Sequence, residues 1–164
     1  MNLHIKKVAV LGSGIMGSAI ACHLANVGME VILLDMVTPG LNNTQKKIKD
    51  FKDKLVNQSL AKVIQSKPSP IFTNTLANNI QTGNFEDDIH LIAECDWIIE
   101  VIIEDLKIKK TLFQIVENFR KIDAIVSSNT SGIPIDRMAE GFSIEFRKYF
   151  FGTHFFNPPR YLRL

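Results

Sequence analysis

Polar side chains suited to chemistry follow three apolar segments of the sequence, "DWIIEVI", "DAIVS" and "KYFFG". Each segment is predicted to be a buried strand, and the polar residues beyond the three strands are Glu104, then Asn129, Thr130 and Ser131, and finally His154 and Asn157. Lys109 lies on the helix predicted after Glu104. Histidine is the side chain best suited to take a proton from an alcohol near neutral pH. Because the carboxyl ends of parallel strands share one edge of a sheet, the three groups are expected to meet there.

Each of these residues also has an ordinary structural interpretation. His154 precedes Phe155 and Phe156, and a lone histidine in such a context is more often a core residue than a metal ligand or a catalytic base. The segment "SSNTSG" is also typical of a simple turn. Glu100 and Glu104 fit ordinary charges at the end of a strand. These alternatives stay open when the residues are considered alone.

A glycine-rich segment near the start, "GSGIMG", has the G-x-G-x-x-G spacing. It follows the apolar run "KKVAVLG" and opens the predicted helix "IMGSAIACHLANVG", and Asp35 ends the next predicted strand, "MEVILLD". A strand, a glycine turn, a helix and a second strand with a terminal acid form the pattern of a dinucleotide-binding unit. The P-loop pattern G-x-x-x-x-G-K-[ST] and the hydrolase pattern G-x-S-x-G are both absent.

The residue types in this segment fit pyrophosphate binding. Gly12 permits the tight turn, Gly14 lets a phosphate approach the backbone, and Gly17 lets the helix pack closely on the sheet. Asp35 can accept hydrogen bonds from both hydroxyls of an adenosine ribose and would repel a 2′-phosphate, so NAD is favoured over NADP. A turn whose glycines serve packing alone is the alternative. The predicted cofactor contacts in this part of the sequence are Gly12, Ser13, Gly14, Ile15, Met16, Gly17 and Asp35.

The alternation of apolar strands with helices predicts an α/β fold of the doubly wound Rossmann type, with a mostly parallel sheet covered on both faces. Residues 38–67 have a different pattern, in which lysines surround apolar residues at helical spacing. This pattern predicts one long amphipathic helix or a pair of helices, inserted after the second strand. The domain is predicted to comprise residues 1–164.

Composition narrows the possible partners. The chain has 164 residues, 46% of them hydrophobic and 22% charged, which is typical of a globular protein. A net charge of +2 is too small to indicate nucleic acid or an anionic membrane as a partner. Cys22 and Cys95 lie in apolar contexts and the histidines are scattered, so no metal site is expected. The apolar runs are too short to span a bilayer, and a cytoplasmic location is expected.

Four segments together resemble the NAD-binding domain of the L-3-hydroxyacyl-CoA dehydrogenases of fatty-acid β-oxidation: "AVLGSGIMGSAIA", "EVIIEDLKIKK", "SSNTSGIPI" and "FFGTHFFNPPRYLRL". The resemblance runs from Lys7 to the last residue, and its most specific element is "SNTS" followed by "HFFNP". With "SKPSP" and "TGNFEDD", the sequence is similar to large bacterial members that join this dehydrogenase to an enoyl-CoA hydratase-like region.

The resemblance implies a role for each candidate residue. His154 would be the catalytic base that removes the proton of the 3-hydroxyl group, and Ser131 would contact the substrate and the nicotinamide. Further cofactor contacts are expected from Glu104, Lys109, Asn129 and Asn157. The lysine-rich helices within residues 40–67 would meet the phosphates of coenzyme A in a 3-hydroxyacyl-CoA substrate, unless they form a solvated helical face.

The resemblance also implies features beyond this sequence. In the family a glutamate orients the histidine from what would be position 166, and an all-helical second domain completes the acyl pocket and forms the homo-oligomer. The 164-residue chain is therefore expected to bind NAD without turning over substrate. A noncatalytic NAD-binding or sensing module is the alternative function.

Overall fold

Six parallel strands form the sheet at the centre of residues 4–159, the part of the chain that the computed structural model describes. In chain order the strands are β1 (Lys7–Leu11), β2 (Glu30–Asp35), β3 (Ile80–Asn84), β4 (Trp97–Glu100), β5 (Ile125–Asn129) and β6 (Phe150–Thr153). Their order in the sheet is β3-β2-β1-β4-β5-β6, and each neighbouring pair runs parallel. The doubly wound α/β fold predicted from the sequence is confirmed.

Helices cover both faces of this sheet. The α-helices are α1 (Ile15–Asn26), α2 (Lys49–Lys52), α3 (Lys54–Ile64), α4 (Leu106–Phe119), α5 (Ile135–Ala139) and α6 (Ile144–Lys148). Short 3₁₀ helices span Gln45–Lys47, Asn74–Asn79 and Ile89–Glu94. Among these described helices, none combines the length and the apolar character that crossing a bilayer requires.

Alternate side chains of β1 enter two separate cores. Val8 and Val10 pack with residues of α1 and α3 on one face, whereas Ala9 and Leu11 pack with residues of α4, α5 and α6 on the other. All four side chains are completely buried. A parallel strand that is apolar on both sides needs helices on both sides, and the alternation explains why its sequence is a continuous apolar run.

Within the predicted insertion, residues 38–67, the chain forms two successive α-helices rather than one long helix. Lys49 Nζ lies 2.9 Å from Asp53 Oδ2 and 2.5 Å from Asp88 Oδ2, and Lys52 Nζ lies 2.5 Å from Asp87 Oδ1. The second of these helices also contributes Val56 to the core under α1. The insertion is therefore held to the sheet by apolar packing and, through the segment after β3, by ion pairs.

An aromatic cluster fixes the other side of the sheet. Phe113 of α4 is completely buried, and its ring centroid lies 5.0 Å from that of Phe150, 6.0 Å from that of Phe146 and 6.4 Å from that of Phe142. Phe150 is the first residue of β6, the strand that leads to His154. The cluster therefore anchors the strand that carries the candidate base.

Replacing Phe113 with alanine should lower the free energy of unfolding by about 3–5 kcal/mol, because the substitution removes a buried ring and leaves a cavity among three others. Phe119→Ala is the matched control on the same helix, since that ring is 41% exposed, and its cost should stay below about 1 kcal/mol. Urea unfolding followed by circular dichroism measures both values. Equal losses for the two variants would contradict the central position assigned to Phe113.

Candidate functional site

The first and third glycines of the glycine-rich loop are required by close packing. Gly12 has φ +109°, and a Cβ at that position would lie 2.6 Å from the carbonyl oxygen of Val101. A Cβ on Gly17 would lie 1.9 Å from the carbonyl oxygen of Gly12. These two glycines let β1 turn into α1 while the loop presses against the chain that follows β4. The packing interpretation of the motif therefore explains Gly12 and Gly17.

Packing does not explain Gly14. A Cβ there would meet no atom within 4 Å, and its φ of −57° is accessible to any residue. Gly14 is the N-cap of α1, where no side chain accepts a hydrogen bond from the first turn. Ile15, next in the chain, is 69% exposed. The start of α1 is thus an open surface with backbone N–H donors and the positive end of the helix dipole, which suits an anionic group.

Asp35, at the end of β2, is bonded directly to this loop. Its Oδ2 accepts hydrogen bonds from the Ser13 backbone N–H at 2.6 Å and from the Ser13 hydroxyl at 2.5 Å, and its Oδ1 accepts from the Met36 N–H at 2.7 Å. Ser13 is only 1% exposed. The side chain of Ser13, predicted to contact the cofactor, is therefore occupied in fixing the carboxylate. A fixed negative charge at the end of β2 opposes a 2′-phosphate in this position.

Glu104 joins the loop after β4 to the loop after β5. Its Oε1 accepts hydrogen bonds from the Thr130 hydroxyl, from the Gly132 N–H at 3.1 Å and from the Ser131 N–H at 3.3 Å. Burial alone would raise the pKa of the Glu104 carboxyl, but hydrogen bonds from Thr130, Gly132 and Lys109 outweigh burial and hold that pKa at about 2. Glu104 is therefore an anion at neutral pH, and it holds the exposed Ser131 in place.

Lys109 is completely buried, although the sequence predicted a residue that lines the cofactor site. Its Nζ lies 2.7 Å from Glu100 Oε1 and 3.2 Å from Glu104 Oε2. Lys109 is therefore linked to the surface through its ion pair with the partly exposed Glu104. Glu100, treated from the sequence as an ordinary strand-end charge, is also completely buried. The signal that could have revealed its role is an acid at the end of the otherwise apolar strand "WIIE".

His154 is exposed, so the core-residue interpretation of this histidine is wrong. Its ring centroid lies 4.8 Å from that of Phe156, which is 50% exposed, while the buried neighbour is Phe155. The Phe155 N–H donates to Asn129 Oδ1 at 2.7 Å, which joins the end of β5 to the turn after β6. Asn129, predicted as a cofactor contact, therefore also anchors the backbone beside His154.

A cleft of about 380 Å³ lies between the start of α1, helix α3 and the turn after β6. Ile15 and Ala19 of α1 line one side, Lys62 and Val63 of α3 line another, and Asn157 lies at the end of the turn that carries His154. Asn157 is exposed, as is Ser131. The start of α1 and the turn after β6 therefore open onto a common space, through Ile15 and Asn157.

The described part of the chain contains no cluster of metal ligands. Among residues 4–159, no group of three or more His, Cys, Asp or Glu side chains is arranged to hold a metal ion. Cys95 is completely buried, and burial raises the pKa of its thiol to about 12. A thiol in that environment is a poor nucleophile.

Comparison with known proteins identifies the family. Residues 7–164 match the family described as "3-hydroxyacyl-CoA dehydrogenase, NAD binding domain", and the chain belongs to it. It is 48% identical over 170 residues to a Bacillus subtilis protein named "Probable 3-hydroxyacyl-CoA dehydrogenase", covering 100% of this chain and 22% of that protein. It is 34% identical over 154 residues to the "Fatty acid oxidation complex subunit alpha" of Psychrobacter cryohalolentis, covering 94% of this chain and 20% of the relative.

The fold matches solved structures of the same kind. The crystal structure of 3-hydroxybutyryl-CoA dehydrogenase from Escherichia coli superposes with a TM-score of 0.71 at 27% identity, covering 98% of this chain and 32% of that one. The chain thus spans about a fifth of the two curated relatives and about a third of the solved structure.

The residues present fit NAD, the cofactor of this family. A dinucleotide-binding loop needs an open backbone surface, a helix N-terminus and then an acid at the end of the second strand. This chain supplies them at Gly14, at the uncapped start of α1 and at Asp35. When bound, NAD supplies the acceptor for a hydride. The individual contacts of Ser13, Ile15, Met16 and the residues beyond β4 and β5 stay predictions.

Gly14→Val should abolish NADH binding without unfolding the domain, because the new side chain fills the open surface and meets no protein atom within 4 Å at its Cβ. Gly17→Val is the contrasting variant. It should destabilise the domain, since its Cβ would collide with the backbone of Gly12. Thermal unfolding and NADH fluorescence titration separate the two effects. Normal NADH binding by a folded Gly14→Val variant would disprove the phosphate role.

Asp35→Ala should weaken NADH binding at least several-fold, because a charged hydrogen bond contributes about 1.5–3 kcal/mol. The unmodified chain should prefer NADH over NADPH, and Asp35→Asn, which removes the charge, should narrow that preference. Asp123→Ala, at an exposed aspartate before β5, is the control and should leave both affinities unchanged. Fluorescence titration with NADH and with NADPH measures both affinities for the unmodified chain and for the three variants. Equal affinities of the unmodified chain for NADH and NADPH would refute the role of Asp35.

Proposed function

We propose that this chain is the cofactor domain of an enzyme that oxidises (S)-3-hydroxyacyl-CoA to 3-oxoacyl-CoA with NAD in fatty-acid β-oxidation. The observation that carries the proposal is the exposed His154 on a turn that shares a cleft with the start of α1. The names of the two relatives support the substrate class and the metabolic role. The loop of residues 129–131 is hydrogen-bonded to the same turn through Asn129. This bond supports a site assembled from three strands.

In this mechanism His154 would take the proton of the substrate's 3-hydroxyl group, and bound NAD would supply the acceptor for the hydride on C3. An imidazole suits this task because it changes charge near neutral pH. The exposed position of His154, with its backbone fixed at Phe155, allows a substrate to reach the ring. Ser131, exposed on the neighbouring loop, is assigned to the substrate and the nicotinamide.

The remaining polar groups of the edge are assigned to the cofactor. Glu104 and Asn157 are partly or fully accessible and are placed along the nicotinamide half, with Asn129 behind them. Lys109 acts indirectly, since it is buried beneath Glu104. Gly12 and Gly17 shape the turn and Ser13 fixes Asp35. We assign Gly14, Ile15 and Met16 to the pyrophosphate and Asp35 to the adenosine ribose.

The lysines of the insertion divide into two groups. Lys49 and Lys52 form ion pairs with acidic residues after β3, which neutralise them locally. Lys46, Lys47, Lys54, Lys62 and Lys67 are exposed. We assign the phosphates of coenzyme A to the exposed group, and above all to Lys62, because its side chain lines the cleft shared with Ile15 and Asn157.

The relatives extend well beyond the span that this chain matches. We assign to that additional length the carboxylate that orients His154, the second wall of the acyl pocket and the contacts of a homo-oligomer. The tautomer and orientation of a catalytic histidine depend on such a carboxylate. A cytoplasmic location completes the proposal.

His154→Ala in a longer chain, extended to the length of the relatives, should lower turnover by about 10²–10⁴-fold, the usual cost of losing a general base. NADH formation from 3-hydroxybutyryl-CoA measures turnover, and NADH binding should be retained. The control is His4→Ala, at an exposed histidine before the opposite end of β1. The 164-residue chain itself should bind NADH without measurable turnover. Full activity of His154→Ala, or NAD binding with no turnover by any longer chain, would favour a noncatalytic NAD-binding module.

A further inference from the structure

We propose that Glu100 is a positioning residue that acts through Lys109 and Glu104 to fix the loop that carries Ser131. The inference rests on the proposed function, since it assigns Ser131 to the reaction. It concerns a carboxylate at the end of β4, next to β1, where the order of the sheet reverses. Glu100 contacts none of the exposed candidate residues directly, so its effect has to pass through other side chains.

Each oxygen of Glu100 is engaged by a different part of the fold. Oε1 accepts from Lys109 Nζ at 2.7 Å and from the Ile102 N–H at 2.7 Å, and Oε2 accepts from the Ser128 hydroxyl. These donors belong to α4, to the loop after β4 and to β5. Because Glu100 and Lys109 are both completely buried, neither can exchange its partner for water.

The ammonium group of Lys109 extends the network toward the surface. It lies between Glu100 and Glu104, and Glu104 Oε2 is 3.2 Å away. The side chain of Glu104 is 41% exposed and would otherwise be free to turn into solvent. Its second oxygen holds the Thr130 hydroxyl and the N–H groups of Ser131 and Gly132. The position of the loop therefore depends on Lys109, and the position of Lys109 depends on Glu100.

Stability alone does not account for this arrangement. A buried ion pair is often no more stabilising than apolar residues of similar volume. An apolar pair cannot, however, supply the hydrogen bond from Lys109 to Glu104. A positioning role and a merely structural role therefore make different predictions for a variant in which both buried charges are removed.

The test compares Glu100→Gln with the double variant Glu100→Gln/Lys109→Met in the 164-residue chain. The double variant leaves no unpaired buried charge, so it should unfold at or near the temperature of the unmodified chain. Glu94→Gln is the matched control, because the same chemical change there removes only a surface pair with Lys7, in which the Glu94 side chain is 62% exposed. The readouts are the backbone amide NMR signals of Ser131 and Gly132 and the affinity for NADH.

A positioning role predicts that both amide signals move upfield in the double variant, as hydrogen bonds to Glu104 weaken, and that NADH binds about tenfold more weakly or worse. A folded Glu100→Gln variant should show the same two changes. If the double variant recovers its stability together with unchanged amide signals and NADH affinity, Glu100 is only a counter-ion and the proposal is overturned. A folded Glu100→Gln variant with both readouts unchanged overturns it as well.

Should Glu100→Gln fail to fold, Glu100→Asp takes its place, because it keeps the buried charge but draws the carboxylate back from Lys109 Nζ. Unchanged amide signals and NADH affinity in a folded Glu100→Asp variant overturn the proposal. The readouts do not depend on turnover, so the inference and the proposed function fail separately. Absence of dehydrogenase activity in an unmodified longer chain would remove the proposed function, while the amide signals would still report whether Glu100 holds the loop.

Discussion

The close approach of Gly12 to its neighbours is the constraint on which the rest of the site depends. The Gly12 N–H donates to the carbonyl of Leu34 at 2.7 Å, and the carbonyl oxygen of Val101 lies over the α-carbon of Gly12. Gly17 packs against the carbonyl group of Gly12. The loop thereby connects β1, β2, the chain after β4 and the first turn of α1. Any side chain at this position would separate these elements, because its Cβ would lie 2.6 Å from a backbone oxygen.

The sequence predicted the fold class because the strands of the sheet centre are apolar on both sides. β3 was not predicted, since "IQTGN" contributes only Ile80 to the apolar core and gains its conformation by pairing with β2. The five-residue helices α5 and α6 were also missed. Helices this short show too little periodicity to be recognised, and their stability comes from packing rather than from local propensity.

The candidate site was predicted at the level of residue types but not of contacts. Spacing within "GSGIMG" and the order of the strand ends indicated which groups share an edge. It did not reveal that Ser13 turns inward to Asp35, or that Lys109 is buried beneath Glu104. These pairings depend on side chains from elements far apart in sequence, so periodicity and spacing contain no information about them. The exposure of His154 was equally unpredictable from spacing, because the side chain buried at this turn is that of its neighbour Phe155.

The two oxygens of Asp35 have a consequence for the evolution of cofactor preference in this domain. Both already accept hydrogen bonds within the protein, from Ser13 and from the Met36 N–H. A substitution that admits a 2′-phosphate would also withdraw the acceptor that the Ser13 N–H and hydroxyl need in a nearly water-free position. Replacing Asp35 alone therefore leaves the buried N–H and hydroxyl of Ser13 without their acceptor, so a change of cofactor preference at residue 35 also weakens the attachment of the glycine-rich loop to β2.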